Sequence, residues 1–296
     1  MSVVEAAPAK LNLTLQVVGR RSDGYHLLDS LVAFTEYGDT ITATSADDLS
    51  LRLDGPFGAI LAGDPAENLV LRAARLLAEH AGIPPQAAIT LTKRLPVASG
   101  IGGGSSDAAA TLRALVRLWG ITIADSDLGT IALRLGADVP VCLARSTARL
   151  EGIGERITPA PALPTVPMVL VNPGVGLATP KVFAVRQGEF SKAPGPGGIF
   201  PTSPADLSTL VTGLADFGND LTAPAISLLP VIADCLARLE AQPGCRLARM
   251  SGSGATCFGF FASAETASAA ATTIVASAPG WWTVATHLSE ARGGEE

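Results

Sequence analysis

Four glycines and three serines stand close together between Leu95 and Leu112, in the sequence LPVASGIGGGSSDAAATL. Glycine gives the backbone freedom at an entropic cost, so such a cluster before a helix indicates close approach of a ligand to the main chain. The first N–H groups of a helix lack partners within it, and the helix dipole favours negative charge there. The segment predicts an anion-binding loop. A plain glycine-rich loop with a serine cap fits the same residues equally well.

Two familiar phosphate-binding motifs do not fit this segment. The P-loop, G-x-x-x-x-G-K-[ST], needs a lysine, and no lysine stands before Ser105. The dinucleotide-binding motif G-x-G-x-x-G fails at its third glycine, and Pro96 interrupts the strand that should precede it. We expect instead that Ser105 and Ser106 cap the helix, and that the side chain of Asp107 points away from the anion.

The elements that position the loop follow from hydrophobic periodicity. Residues 8–19 alternate as a strand that presents Lys10 and Asn12 on one polar face. A strand over 88–95 leads into the loop, and the helix after it ends at Gly120. A helix with Asp64 as N-cap, Pro65 in its first turn, Glu67 in a capping box and Gly82 as its end precedes them, and another helix ends at Gly136.

The second half mixes strands and helices without a regular βαβ alternation, which favours the α+β class. A Pro/Gly/Ser-rich stretch at 191–204 is predicted to be a mobile surface loop. The remaining predicted elements are a hairpin turning at Gly152–Gly154, a strand at 167–174, a helix around 223–241, a turn at 251–256, a strand at 257–261, a helix over 264–277 and a last strand near 281–288.

Composition narrows the functional class. The net charge is −6, with 21 Lys plus Arg against 27 Asp plus Glu, which argues against nucleic acid as a partner. The four cysteines form no C-x-x-C pair, so we expect reduced, mostly buried thiols in a cytoplasmic protein. No signal peptide is apparent, and no apolar run is long enough for a membrane helix, so no membrane partner is expected.

Four segments together carry a resemblance to a known family. The glycine loop is similar to that of the GHMP kinase superfamily, which wraps ATP phosphates without a P-loop lysine. The other segments are PAKLNLTLQVVGRRSDGYHLLDSL (8–31), LGADVPVCL (135–143) and SGSGATCF (251–258). In this order they resemble the branch that phosphorylates a cytidine diphosphate-linked sugar alcohol in the non-mevalonate route to isoprenoids.

The resemblance implies a two-domain α+β fold. It divides the chain into an N-terminal ATP-binding α/β domain (1–160), like ribosomal protein S5 domain 2, and a C-terminal ferredoxin-like α+β domain (161–296), with the active site in the cleft between them. It implies ATP and Mg²⁺ as cofactors, a small-molecule substrate, and a monomer or homodimer. Two alternatives stay open: another small-molecule kinase of the superfamily, of homoserine or mevalonate type, and a non-catalytic nucleotide-binding protein.

The resemblance also implies the catalytic pair. Asp138 would accept the hydroxyl proton, and Lys10 would keep Asp138 ionised and draw the acceptor oxygen to the γ-phosphate. Without the resemblance, Asp138 would be interpreted as a helix-end cap and Lys10 as a solvated strand residue. ATP would bind along the loop, at Pro96, Val97, Ala98, Ser99, Gly100, Ile101, Gly102, Gly103, Gly104, Ser105 and Ser106.

Further residues are assigned by the same resemblance. Asn68 and Lys93 would border the adenine, although they also read as a helix-start residue and a surface charge. Ser106 would be a Mg²⁺ ligand. Substrate would be bound by Asn12, by Tyr25 and His26 at the cytosine with Phe183 on its other side, and by Gly252 and Gly254. The aromatic side chains also fit a core, and the two glycines a tight turn.

Overall fold

The computed structural model describes residues 1–61, 68–195, 198–200 and 202–289 of the chain. Its contacts divide it into two compact units. Unit 1 comprises Met1–Ala9, Gly38–Val97 and Gly102–Ala144, and unit 2 comprises Lys10–Tyr37, Ala98–Ile101 and the chain from Arg145 onward. The loop residues Ala98–Ile101 therefore belong to unit 2, whereas the residues before them, up to Val97, and those from Gly102 onward belong to unit 1.

The strands are β1 (Ser2–Asn12), β2 (Gln16–Arg20), β3 (His26–Thr44), β4 (Ser50–Asp54), β5 (Ala88–Thr92), β6 (Ala148–Gly152), β7 (Arg156–Pro159), β8 (Val166–Asn172), β9 (Cys245–Met250), β10 (Cys257–Phe261) and β11 (Trp282–Leu288). The helices are α1 (Leu69–Ala81), α2 (Gly103–Trp119), α3 (Asp125–Leu135), α4 (Val139–Ala144), α5 (Thr179–Val185), α6 (Leu207–Leu214), α7 (Thr222–Leu228), α8 (Val231–Glu240) and α9 (Ala264–Ser277), with a 3-10 turn at Gly58–Leu61.

Unit 1 packs four helices with a small sheet. In that sheet β4 runs parallel to β5, and β5 pairs antiparallel with the C-terminal part of β3. Helices α1, α2, α3 and α4 pack against one another, and α2 buries an apolar face that includes Leu112 and Leu115. This packing holds the first turn of α2, which follows the glycine loop.

Unit 2 contains the predicted ferredoxin-like arrangement. The elements β8, α8, β9, β10, α9 and β11 occur in this order along the chain, with α5, α6 and α7 between β8 and α8. The strands lie in the order β11–β8–β10–β9 with antiparallel neighbours. Helices α8 and α9 pack on this sheet through an apolar cluster that includes Ile232, Phe261 and Ile274. Strands β2, β3, β6 and β7 add antiparallel pairs, including the predicted hairpin.

Several helix boundaries differ from the predictions. The predicted helix at 223–241 is two helices, α7 and α8, because the chain leaves the helical conformation at Leu229 before Pro230. The predicted capping residues Asp64, Pro65 and Glu67 lie outside the described residues; α1 begins at Leu69 with Asn68 as its N-cap. The predicted helix ends at Gly82, Gly120 and Gly136 are confirmed.

The stretch at 191–204 has no helix or strand in its described part, but side chains hold it in place. The guanidinium of Arg149 is paired with Asp29 and donates to the carbonyls of Pro194 and Gly195 at 3.0 and 3.2 Å. Phe200 is buried. The stretch is therefore anchored on unit 2 at two points, which its composition does not indicate.

Candidate active site

The glycine loop is held on unit 2 by its carbonyl groups. The carbonyl of Ser99 accepts a hydrogen bond from Thr256 N at 3.1 Å, and that of Ile101 accepts one from Lys10 N at 2.9 Å. The carbonyl of Gly100, between them, accepts a hydrogen bond from Ser251 Oγ at 3.0 Å. Consecutive carbonyls of the loop are thus fixed on the side of β1 and of the turn at 251–256.

This anchoring fixes the direction of the loop amides. In a planar trans peptide the N–H points opposite to the carbonyl of the preceding residue. The N–H groups of Gly100, Ile101 and Gly102 therefore point away from the anchoring groups, and no acceptor for them lies among the described residues. Outward-facing amides next to a helix N-terminus are the donors that a phosphate needs.

Gly100 is required by both conformation and space. Its φ of +76° lies in the left-handed region, and a Cβ there would be 2.5 Å from the carbonyl oxygen of Gly254 and 2.7 Å from that of Ser251. Gly252 and Gly254 in the facing turn also have positive φ, of +56° and +87°. The loop and the turn can approach so closely because Gly100 and Gly252 have no side chains at the contact.

We expect Gly100→Ala to reduce activity strongly. The added Cβ cannot avoid backbone atoms of the turn, so the loop must move, and a misplacement of about 1 Å costs on the order of 10²-fold in rate. The matched control is Gly120→Ala, which has a similar φ of +63° but nothing within 4 Å of the new Cβ. Steady-state kinetics should show the loss only in Gly100→Ala; equal activity of the two variants would contradict the steric argument.

Helix α2 begins earlier than predicted. Its N-cap is Gly102, with φ +64° and no side-chain cap, so the prediction that Ser105 and Ser106 cap the helix is wrong. Both serines lie inside the first turns, and Ser106 Oγ donates to the carbonyl of Pro8 at 2.6 Å. Because serine caps are absent, the first N–H groups of α2 are left to other partners.

A buried ion cluster lies beneath the first turn of α2. Lys93 Nζ is 2.5 Å from Asp39 Oδ2 and 2.6 Å from Asp107 Oδ2, and the three side chains are almost completely buried. Asp39 Oδ1 also accepts from the backbone N–H groups of Arg94 and Leu95, at 2.5 and 2.8 Å. The cluster ties β3, the start of the loop and α2 together within unit 1.

This cluster bears on two of the sequence-based interpretations. Lys93 is buried, which excludes the alternative of a surface charge, and Asp107 faces the protein interior, where it binds the lysine. Burial raises the pKa of Asp107 to about 8, helped by Asp39 and opposed by Lys93. Burial pulls the pKa of Lys93 down, but the two carboxylates outweigh it and the pKa lies above its usual value.

The predicted catalytic and substrate residues occupy defined positions. Lys10 and Asn12 lie at the end of β1 and are buried, so their strand face is not solvated. Asn12 Nδ2 donates to Ser30 Oγ at 2.8 Å. Asp138 is partly exposed in the short link between α3 and α4, and its carbonyl accepts from Cys142 N at 3.2 Å.

The aromatic residues predicted to bind cytosine lie in unit 2, and two of them contact each other. His26 stacks on Phe183, with ring centroids 5.1 Å apart and an interplanar angle of 22°. Tyr25 is 62% exposed, so it is not a core aromatic. Burial lowers the pKa of His26, with further contributions from Arg20 and Arg186, so the imidazole is neutral at pH 7. A neutral imidazole can both donate and accept a hydrogen bond.

Comparisons with known proteins agree with this geometry. The model of the GHMP kinases N terminal domain matches residues 68–146, which include the glycine loop, and that of the GHMP kinases C terminal matches residues 203–278. The chain belongs to the GHMP kinase family. Its two-domain α+β fold and its assignment as an ATP-dependent small-molecule kinase follow from that membership.

Relatives within the GHMP kinase family resemble the chain over nearly its whole length. A 4-diphosphocytidyl-2-C-methyl-D-erythritol kinase from Paramagnetospirillum magneticum is 52% identical over 95% of this chain and 97% of its own. The kinase of the same name from Paracoccus denitrificans is 54% identical over 97% of both chains. A crystal structure of 4-(cytidine 5'-diphospho)-2C-methyl-D-erythritol kinase is 35% identical with a TM-score of 0.79, over 99% of this chain and 100% of that one.

Three further observations concern metal ligands, membrane helices and cysteines. In the described part of this GHMP kinase, no group of three or more His, Cys, Asp or Glu side chains is arranged to hold a metal ion. Across the same residues, no helix has the length and apolar character needed to span a bilayer. None of the four cysteines, all of which lie in the described part, forms a disulfide, and Cys142, Cys235 and Cys257 are buried, as predicted.

Sequence reasoning missed residues that shape this GHMP kinase site. Asp39 and Ser251 contact residues far away in the chain, with separations of 54 residues to Lys93 and 239 to Asn12. The motif SGSGAT drew attention to its glycines, whereas its first serine and its threonine bear the contacts to the loop. Lys93, in the strand segment TLTKRLP, is buried and has no acidic residue next to it in the sequence. A lysine in such a segment is the signal that could have indicated a carboxylate from a distant part of the chain.

Proposed function

We propose that this chain transfers the γ-phosphoryl group of ATP to the 2-hydroxyl of 4-diphosphocytidyl-2-C-methyl-D-erythritol, giving the 2-phosphate and ADP. The observation that carries the proposal is the 52–54% identity, over at least 95% of the chain, to relatives named as kinases of this alcohol. The reaction would serve the non-mevalonate route to isoprenoid precursors. Residues 1–160 and 161–296 would be its two domains, and each family model falls within one of these ranges.

The nucleotide would bind through the loop from Pro96 to Ser106. The outward amides of Gly100, Ile101 and Gly102, together with the uncapped first turn of α2, favour the phosphates by hydrogen bonding and by the helix dipole. Asn68 and Lys93 are proposed to border the adenine. The ammonium of Lys93 is already bound to two carboxylates, so its contact with the base would be through the aliphatic part of the side chain.

Mg²⁺ would bind mainly through the phosphates of the nucleotide, since this ion keeps several waters and uses few protein ligands. Ser106 fits as the protein ligand because its hydroxyl donates its only hydrogen to Pro8, which leaves its oxygen lone pairs for a cation. The bound ion would neutralise part of the negative charge of the phosphates.

Asp138 and Lys10 are proposed as the catalytic pair. Phosphoryl transfer needs positioning, charge neutralisation and one group that receives the hydroxyl proton. Asp138 is partly exposed, which lets a substrate hydroxyl reach its carboxylate. Lys10 would neutralise the negative charge that builds up as the acceptor oxygen approaches the γ-phosphate. Asn12, Gly252 and Gly254 would bind the substrate.

The cytosine is proposed to bind at Tyr25, His26 and Phe183. We expect Tyr25→Ala to raise the KM for the cytidylyl substrate roughly 5- to 150-fold with little change in the KM for ATP, because base–aromatic stacking is worth about 1–3 kcal/mol. The control is Phe190→Ala, which removes another exposed aromatic ring of unit 2. An unchanged substrate KM in Tyr25→Ala would exclude stacking on this ring.

The assignment is tested by ADP release from purified protein with ATP, Mg²⁺ and a panel of alcohols. We expect turnover with 4-diphosphocytidyl-2-C-methyl-D-erythritol and none with homoserine or mevalonate. Turnover of either of those alcohols in place of the cytidylyl substrate would reject the assignment. ATP binding without turnover of any alcohol would favour the non-catalytic alternative.

A further inference from the structure

The hydroxyl of Ser251 lies between the glycine loop and the end of β1. Ser251 is completely buried, and its Oγ accepts a hydrogen bond from Asn12 N and donates one to the carbonyl of Gly100, both at 3.0 Å. We propose that Ser251 is a positioning residue that fixes the nucleotide-binding loop against the substrate-binding strand. This inference rests on the proposed function.

The turn that bears Ser251 is itself held in one conformation. Asn219 Nδ2 donates to the carbonyls of Met250 and Gly252, at 2.9 and 2.8 Å, one on each side of the serine. The backbone N–H of Ser251 donates to the carbonyl of Thr256 at 2.9 Å. The Ser251 side chain therefore projects from a fixed backbone, which a positioning group requires.

The hydroxyl determines the direction of one loop amide. The carbonyl of Gly100 and the N–H of Ile101 belong to the same planar peptide, so fixing the carbonyl towards Ser251 turns the N–H to the opposite side. The neighbouring peptides are fixed by the backbone donors Lys10 N and Thr256 N. Of these three peptides, the one between Gly100 and Ile101 is anchored by a side chain. A single substitution can therefore release it.

The same hydroxyl acts on the substrate side. Its bond to Asn12 N fixes the backbone of a residue whose side chain donates to Ser30 Oγ at 2.8 Å. One oxygen thus links the donors proposed for ATP with the strand proposed for the alcohol. An error of about 1 Å between two reactants costs on the order of 10²-fold in rate, so loss of this link should act on turnover.

The experiment compares Ser251→Ala with Ser263→Ala. Ser263 caps α9 by accepting from Thr266 N at 3.3 Å, so its variant also loses a structural hydroxyl but leaves the loop alone. We expect Ser251→Ala to lower kcat about 10- to 100-fold and to raise the KM for ATP, with faster hydrogen exchange at the amides of Lys10 and Thr256, which donate to the neighbouring loop carbonyls. Ser251→Thr, which keeps the hydroxyl, should restore most of the activity.

The outcomes separate this inference from the proposed function. If Ser251→Ala had the same kcat, ATP KM and exchange at the Lys10 and Thr256 amides as Ser263→Ala, the inference would be overturned. A loss of activity without faster exchange at these two amides would overturn it as well. Wild-type protein that binds a non-hydrolysable ATP analogue but phosphorylates no alcohol would refute the proposed function, while exchange in the analogue complex would still decide the role of Ser251. Wild-type protein that binds no analogue would refute both.

Discussion

Replacing Asp138 with asparagine is expected to lower kcat by about 10²–10⁴-fold while ATP binding persists, because general base catalysis contributes on that order. Asparagine has nearly the same shape but cannot accept the hydroxyl proton. The expected signature is a large fall in kcat with an almost unchanged dissociation constant for an ATP analogue. Steady-state kinetics and calorimetric titration of the analogue measure the two quantities separately.

The control for this prediction is Asp125→Asn. Asp125 is an exposed acid in the first turn of α3, in the same unit as Asp138, so the variant makes the same chemical change away from the link before α4. We expect it to keep wild-type kinetics. Retention of more than about a tenth of the wild-type kcat by Asp138→Asn would remove Asp138 from the mechanism.

Replacing Lys93 with methionine is expected to lower the free energy of unfolding of unit 1 by about 3–5 kcal/mol, the usual cost of breaking a buried ion pair by removing one partner. The reason is electrostatic: Asp39 would remain buried without its counter-charge, and the buried carboxyl group of Asp107 would lose its hydrogen-bond partner. Urea unfolding followed by the fluorescence of Trp119, which lies on α2 in unit 1, measures the loss in a background where Trp281 and Trp282 of unit 2 are replaced by phenylalanine.

Two further variants test the electrostatic origin of this loss. Lys181→Met makes the same change at an exposed position of α5 and should alter stability by less than about 0.5 kcal/mol. Adding Asp107→Asn to Lys93→Met removes the second buried acidic group beside Asp39 and should recover part of the loss. A loss below about 1 kcal/mol in Lys93→Met would show that the cluster contributes little to folding.

Local signals were sufficient for much of the fold. Gly82 and Gly120 end their helices in the left-handed conformation, which glycine adopts at little cost, so these boundaries could be read directly. The start of α2 could not be predicted in this way. Ser105 is a good N-cap residue by type, but the N-cap is Gly102, which has a positive φ. The break between α7 and α8 could not be predicted either, because a proline such as Pro230 fits both the first turn of a helix and a break in one. In the structure α7 ends just before Pro230.

The candidate site was predictable to the extent that it depends on chain-local chemistry. The glycine loop indicated exposed amides, but not which groups would orient them, because the anchors Lys10, Ser251 and Thr256 come from distant parts of the chain. The pairing of Lys93 with Asp39 is also long-range and leaves no trace in periodicity. The roles of Lys10 and Asp138 rested on family resemblance, since each residue alone also fits a structural position.

The most direct test of the proposed reaction is proton-coupled ³¹P NMR of the product formed from ATP and 4-diphosphocytidyl-2-C-methyl-D-erythritol. The 2-carbon of this alcohol bears a methyl group and no hydrogen, so a phosphate on its oxygen has no three-bond coupling to a proton. We predict a new phosphomonoester singlet that appears with ADP. A doublet or triplet would place the phosphate on another hydroxyl, and ADP formation without a new phosphomonoester would contradict the proposed transfer.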